Sequence, residues 1–177
     1  NTGGHQESAL DAMTYLMLFV FEYGGANAQE IIGEGKTNND SDHDYVAKTG
    51  LADALGNTTA SQEASSSTST DGYFIYRGIE NPFGNLWKFQ DGMNIYNDGT
   101  KSKLYLNLNN NPDEFADDTD VNYVYVGDLA ESGDYIDTII PFKYGIFPTT
   151  VGGSSSTKIG DYFYTYFDND PNSGWRS

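Results

Sequence analysis

The side chains able to do chemistry in this chain are almost all carboxylates and amides. Of 177 residues, 26 are Asp or Glu and nine are Lys or Arg, a formal charge of −17, with no cysteine and two histidines, His5 and His43. A chain without cysteine has no disulfides, no thiolate metal site and no thiol nucleophile, and two histidines supply a zinc centre poorly. Clustered oxygen ligands suit calcium, and they are densest in Asn111-Pro-Asp-Glu-Phe-Ala-Asp-Asp-Thr-Asp120, where Asp117, Asp118 and Asp120 are the candidates. That run lacks the ordered ligand spacing and the sharp-turn glycine of a calcium loop. A solvated loop is the better reading, and no cofactor is expected. Asp168-Asn-Asp-Pro-Asn172 is explained by a turn. Carboxylate pairs for glycoside hydrolysis can be drawn anywhere in so acidic a chain and therefore carry no information. Glu22 and Glu80 lie beside apolar residues, the setting in which burial favours a neutral carboxyl; a hydrogen bond to a turn amide is the commoner use of such a group.

The charge itself excludes partners. A field of this sign repels phosphate backbones and anionic bilayers, so neither nucleic acid nor membrane insertion is expected. The longest apolar run, Tyr15 to Phe21, is too short to span a bilayer, and no basic stretch precedes it as in a secretory signal. Solubility is the plain reading of the remaining acidity.

The elements that must position these groups are legible in part. Apolar residues make up 37% and aromatics 15%, with fourteen Tyr, ten Phe and twenty Gly. A disordered chain is poor in aromatics, while aromatic residues favour strands and glycine favours turns, so the chain reads as α+β and β-rich. Ser8, with Asp11 three residues on, predicts a helix start. Leu10, Met13, Met17, Val20 and Phe21 recur at helical spacing, and Leu16, Leu18 and Phe19 widen the apolar face to nearly the whole circumference, which predicts a buried helix. Gly24-Gly25 ends it. Residues 33–72 are polar and turn-rich, with a short helix around Val46 to Leu55 and an exposed Ser65 to Thr70 loop. Strands are expected at Phe74 to Tyr76, Leu86 to Phe89, Met93 to Tyr96, Lys103 to Leu108, Tyr123 to Val126, Pro141 to Phe147 and Asp161 to Phe167. Leu104, Leu106 and Leu108 alternate with Tyr105 and Asn107, the period of a half-buried strand. Asn1-Thr-Gly-Gly-His-Gln reads as a linker over residues 1–7, and the end at Gly174-Trp-Arg-Ser177 reads as a cut, so the chain is expected to be a fragment of something longer.

Three segments carry a resemblance to a known family. Leu18-Phe-Val-Phe-Glu-Tyr-Gly-Gly-Ala-Asn-Ala-Gln29 resembles the helix and exit turn of phage minor structural proteins. Arg77-Gly-Ile-Glu-Asn-Pro-Phe-Gly-Asn-Leu-Trp-Lys-Phe-Gln-Asp-Gly92 is similar to their second motif. Gly152-Gly-Ser-Ser-Ser-Thr-Lys-Ile-Gly-Asp-Tyr-Phe-Tyr164 with Gly174-Trp-Arg176 is similar to a third; together they cover about half the chain, in the family's order. The resemblance implies the C-type-lectin-like fold of the formylglycine-generating-enzyme superfamily, as in retroelement-diversified tail receptor-binding proteins. One buried N-terminal helix would begin a single domain over 8–177, with a polar loop region at about 33–72 and a long acidic β/loop insertion at about 97–140, incomplete at its C-terminus. In this reading Gly84 permits a positive-φ turn, Asn85 bonds its own backbone, and Trp87 and Phe89 alternate inward. Phe74 and Tyr76 complete the scaffold, and Trp175 serves as scaffold or as a ligand contact. Tyr162, Tyr164 and Tyr166 lie near the presented face, where tyrosine buries area at low entropic cost.

The function implied is recognition, not catalysis. The oxidase chemistry of the formylglycine-generating relatives needs a cysteine pair, which this chain lacks. The resemblance implies a phage tail or virion-appendage domain on the virion surface, contacting a bacterial surface glycan or protein and other virion proteins, and forming a homo-oligomer such as a trimer. Two alternatives stay open: a head or tail decoration or assembly domain with no receptor, and a glycan-degrading tail hydrolase.

Overall fold

The computed structural model describes residues 6–36, 45–86, 88–130, 133–143, 145–157, 162–163 and 175–176, the backbone alone at Tyr162, Trp175 and Arg176. The described chain is mixed helix and sheet: helix α1 spans Ala9–Tyr23 and the single turn α2 Ala28–Ile31. The strands are β1 (Ala60–Gln62), β2 (Tyr73–Tyr76), β3 (Ile79–Glu80), β4 (Met93–Asn97), β5 (Ser102–Leu106), β6 (Val124–Leu129), β7 (Asp134–Phe142), β8 (Gly145–Val151), β9 (Tyr162–Phe163) and β10 (Trp175–Arg176). They pair antiparallel in three small sheets, ordered β1-β2-β3, β10-β4-β5-β6 and β8-β7-β9. Two compact units result, Asn27–Lys88 and the remainder, Asn1–Ala26 with Phe89–Ser177. No helix among the described residues is long and apolar enough to cross a membrane.

In the larger unit α1 begins as its sequence dictates. The Ser8 hydroxyl accepts the Asp11 N–H at 3.1 Å, satisfying one of the first turn's orphan donors. Gly24 closes the helix at φ 72, its N–H donating to the Val20 carbonyl. β5 alternates as expected where it forms, with Ser102, Leu104 and Leu106 buried and Lys103 and Tyr105 turned outward, but it ends at Leu106, short of the expected Leu108, and Asn107 is buried, not outward. Leu104, Leu106, Leu129, Phe147 and Ala9 form the core, with Leu10 and Met13 of α1 packed on it. Truncating either β5 leucine to alanine removes contacts typically worth about 2–5 kcal/mol. At Gly145 any Cβ would sit 2.7 Å from the Met13 sulfur, so glycine there is what lets α1 approach β8. A bulge at Val126 pairs Tyr105 with Tyr125 while turning Val126 to the core.

Several expectations are corrected. α1 is not buried all round: Phe21 is 81% exposed, and Leu18 and Tyr23 are exposed too. Ala9, Leu10 and Met13 join the core cluster and Phe19 is fully buried, so α1 buries one stripe and leaves Leu18 and Phe21 outside it. Pro141 to Phe147 is not one strand; it holds the end of β7, the hairpin turn and the start of β8. Around Val46 to Leu55 the helix reduces to one 3-10 turn, Asp53–Leu55. Of Asp161 to Phe167, Tyr162–Phe163 forms β9 and the rest lies outside the described residues.

The smaller unit is ordered by polar side chains. Phe74, Ile75 and Tyr76 are buried in β2, as the aromatic run predicts, and Phe74 meets Phe83 edge-on at 5.8 Å between ring centroids. Of the expected strand Leu86 to Phe89, none of the described residues, Leu86, Lys88 and Phe89, is in a strand. Gly84 and Asn85 both take positive φ, 72° and 65°, which breaks extension before Leu86, and the Lys88 ammonium donates back to the Asn81 and Pro82 carbonyls. Lys36 is 2% exposed and donates to the Ser67 carbonyl, while the Asp71 carboxylate accepts the Ser65 N–H at 3.0 Å. The Ser/Thr loop is thus tied from both ends. Asp71 is held below the usual carboxylate range by those Ser65 bonds first, and by Lys36 last.

Two outcomes are expected. Lys36→Met leaves the Ser67 carbonyl without its donor, a loss of about 1–3 kcal/mol; hydrogen exchange at the Ser65 and Ser69 amides should accelerate, and unchanged protection would contradict the latch. Asp98, in the β4–β5 turn, accepts from Lys103 at 2.7 Å and from Thr100 and Lys101. Lys103 first, then Thr100, hold its carboxyl well below its ordinary 3.8. A depressed folded-state value stabilises above the unfolded value and is lost as pH falls through the folded one. The thermal midpoint of Asp98→Asn should therefore decline less than that of the parent as pH falls from about 4 to 2; parallel curves would refute this assignment.

Candidate binding cleft

The larger unit contains a cleft of about 480 Å³ whose floor and wall come from Phe89 to Asn94 and Pro112 to Tyr123. That volume lies in the range of roughly 300–1,000 Å³ that small-molecule sites occupy. The floor starts where Glu7 and Ala9 bracket Asp91: the Asp91 N–H donates to the Glu7 carbonyl at 3.0 Å and the Ala9 N–H to the Asp91 carbonyl at 2.8 Å. Gly92 comes next at φ +76, and a Cβ there would meet the Phe115 ring at 2.9 Å. Glycine is required twice over, for the backbone angle and for the ring that lies on it.

The opposite wall is held by side chains bonding backbone. Asn94 points away from the core between Met93 and Ile95, and is 1% exposed. Its amide donates to the Ala116 and Thr119 carbonyls, each at 2.8 Å. The Tyr123 hydroxyl lies 3.1 Å from both the Ala116 N–H and the Ala116 carbonyl, closing the loop on itself. Upstream, Glu114 accepts from Asn109 at 2.8 Å, Asn111 at 3.2 Å and Asn107 at 3.4 Å. These amides, Asn109 foremost, hold its carboxyl below the usual range. Asn107 is itself buried, and its backbone N–H donates to the Gly92 carbonyl at 2.9 Å, joining wall to floor.

Against this fixed frame stand groups with nothing to do. Phe89 is 81% exposed at the cleft. The side chains of Gln90, Asp91 and Asp117 line it and enter no hydrogen bond or ion pair among the described residues. A smaller hollow of about 280 Å³ in the other unit is the contrast. There Glu80 accepts from Gly50 and Ala52, the Asn81 side-chain oxygen from Phe74, and Asn85 from Ala47, while Lys88 donates to Asn81 and Pro82. These polar groups are already holding loops, including Glu80 in the turn-amide role expected of it.

The residues singled out from sequence fare unevenly. Phe74 and Tyr76 are buried as scaffold. Phe89, expected in the core, is at the surface, because the strand that would have carried it inward does not form. Gly84 takes its positive φ, but Asn85 bonds the Ala47 N–H at 2.9 Å instead of its own backbone. Trp87, Tyr164 and Tyr166 lie outside the described residues. Tyr162 pairs with Tyr135 of β7 and Trp175 with Tyr96 of β4, which puts these two on different sheets. Asp117 lines the cleft; Asp118 is exposed at φ 58, and the Asp120 carbonyl accepts the Tyr123 N–H. Among the described residues no three or more Asp, Glu or His converge as a metal ion would need. Gln90, Phe115 and Tyr123 escape a reading of the sequence as site residues; the Asp91-Gly92 pair, a turn signal between two apolar stretches, is the available signal.

Because the Asn94 amide has two carbonyls facing it, its replacements should rank. Asn94→Ala abandons both, each costing roughly 1–3 kcal/mol. Asn94→Asp adds a carboxylate that cannot donate to them and should cost more; urea midpoints falling in the order wild type, Ala, Asp are expected, and an Asp variant as stable as wild type would overturn this account of the wall. Compared with family models, with curated proteins and with solved structures, the chain matches none.

Proposed function

We propose that the protein is a non-catalytic recognition module of a phage tail or other virion appendage, a C-type-lectin-like scaffold that offers the Phe89 cleft to a bacterial surface glycan or protein. The virion setting and the lectin-like scaffold come from the sequence resemblance. One observation carries the recognition reading: an aromatic ring left 81% exposed beside three hydrogen-bonding side chains without partners among the described residues, against a wall held by its own hydrogen bonds. Binding of this kind works by a wall already fixed by its own hydrogen bonds, with the ordering of the free side chains as its entropic cost. Copies arrayed on one particle would multiply a modest single-site affinity.

A second reading, assembly without a receptor, is favoured by a different observation. Leu18 and Phe21 of α1, three residues apart and so on one helix face, are both exposed, and neighbouring apolar side chains mark a surface that meets protein.

One experiment separates them. The protein, displayed multivalently on beads, is expected to be retained on cells of at least one strain in a bacterial panel. Phe89→Ser should lower retention by about tenfold or more, the effect of removing a central aromatic anchor, without changing the melting temperature. Retention untouched by Phe89→Ser but abolished by Phe21→Ser would move the function to the helix face.

A further inference from the structure

Resting on the recognition reading, we infer that the Phe89 cleft takes an uncharged saccharide, its ring stacked on Phe89 and its hydroxyls bonded by Asp91, Asp117 and Gln90. Among the described residues the lining includes two carboxylates, Asp91 and Asp117, and no Lys, Arg or His. An anionic sugar, whether uronate, sialate or phosphate-bearing, would meet like charge with no compensating cation, and unpaired buried charge is costly. The whole chain, at −17, adds to that repulsion.

The chemistry of the free groups points the same way. A carboxylate only accepts, whereas the Gln90 amide both donates and accepts. Neighbouring sugar hydroxyls, which do both, can satisfy all of them at once. A lysine ammonium offers donors only and by itself leaves the Gln90 N–H groups without an acceptor, whereas each sugar hydroxyl serves both kinds of group. The C–H face of a pyranose carries slight positive charge and fits the negative face of an aromatic ring. The Phe89 ring is the part of the cleft free to receive it, because Phe115 is already laid on Gly92. The cleft volume, about 480 Å³, suits a short oligosaccharide better than a folded partner, whose contact surfaces are broad and flat.

The test is a printed array of neutral hexose and N-acetylhexosamine oligomers, acidic oligomers bearing uronate, sialate or phosphate, and oligolysine, probed with labelled wild type, Phe89→Ser and Asp117→Asn. Signal on neutral spots is expected, at least tenfold weaker for Phe89→Ser and several-fold weaker for Asp117→Asn. It should persist when salt rises from about 0.1 to 1 M, which shortens the screening length from roughly 10 to 3 Å. Phe89-dependent binding to acidic spots or to oligolysine overturns the saccharide class and leaves recognition by the cleft standing. A blank array, with Phe89-dependent retention on cells, also overturns it and points to a protein receptor. A blank array with no retention on any cell removes both this inference and the reading beneath it.

Discussion

A carboxamide buried to 1% exposure must find acceptors for both of its N–H bonds, and Asn94 finds them in two carbonyls of one loop. That requirement organises the larger unit. β4 has to present one polar side chain on the face away from the core, and the acidic stretch after Pro112 has to fold over it. Once it does, Tyr123 and Glu114 have their partners within reach, and Phe115 is laid against Gly92. The wall of the cleft is a consequence of satisfying one amide, since leaving such a group unpaired costs more than the bond itself contributes.

Local chemistry is readable where it acts alone. The Ser8 cap, the Gly24 stop and the alternation of β5 depend on a few neighbouring residues, and each is where the sequence puts it. Phe89 misleads because its aromatic neighbours suggest a buried strand, while Asn85 and Lys88 bend the chain through bonds to residues earlier in sequence, at Ala47, Asn81 and Pro82. The exposed residues of α1 mislead for a related reason: Leu18 and Phe21 are apolar yet lie off the stripe that buries Ala9 and Phe19, and an apolar circumference does not tell which stripe is covered. The cleft is hardest to foresee, because it is made by Asn94 meeting Ala116 and Thr119, contacts between residues more than twenty apart. Of the cleft's free groups, the acidic run points only to Asp117, and there as a metal ligand.

The few cations are used inward. Lys36, Lys88, Lys101 and Lys103, out of nine basic residues, bind carbonyls or carboxylates of the same chain. Tyr125 shows how thoroughly this is done: its hydroxyl donates to Asp128 at 2.7 Å, and Asp128 in turn holds Lys101 at 2.9 Å. Asp128 raises the Tyr125 phenol above its ordinary value, while Lys101 first and Tyr125 second lower Asp128. Acidic residues on this sheet face are thereby tamed in place, whereas Asp91 and Asp117 are not.

On the proposed reading, an acidic protein meeting an acidic bacterial envelope would gain nothing from long-range attraction, and screening confines the repulsion to about 8–10 Å at physiological salt. Whatever holds it there must act at contact, through stacking and hydrogen bonds. An exposed phenyl ring forfeits roughly 25 cal/mol for each Å² it keeps in water, and nothing in the described fold requires Phe89 to stay there: the core cluster forms without it, and the wall beside it is bonded by other groups. What sets Phe89 apart from the equally exposed Phe21 is the company of carboxylates and an amide without partners among the described residues, which is why the proposed binding is placed at this cleft. The apolar area that folding leaves in water at this cleft is area that binding can still remove.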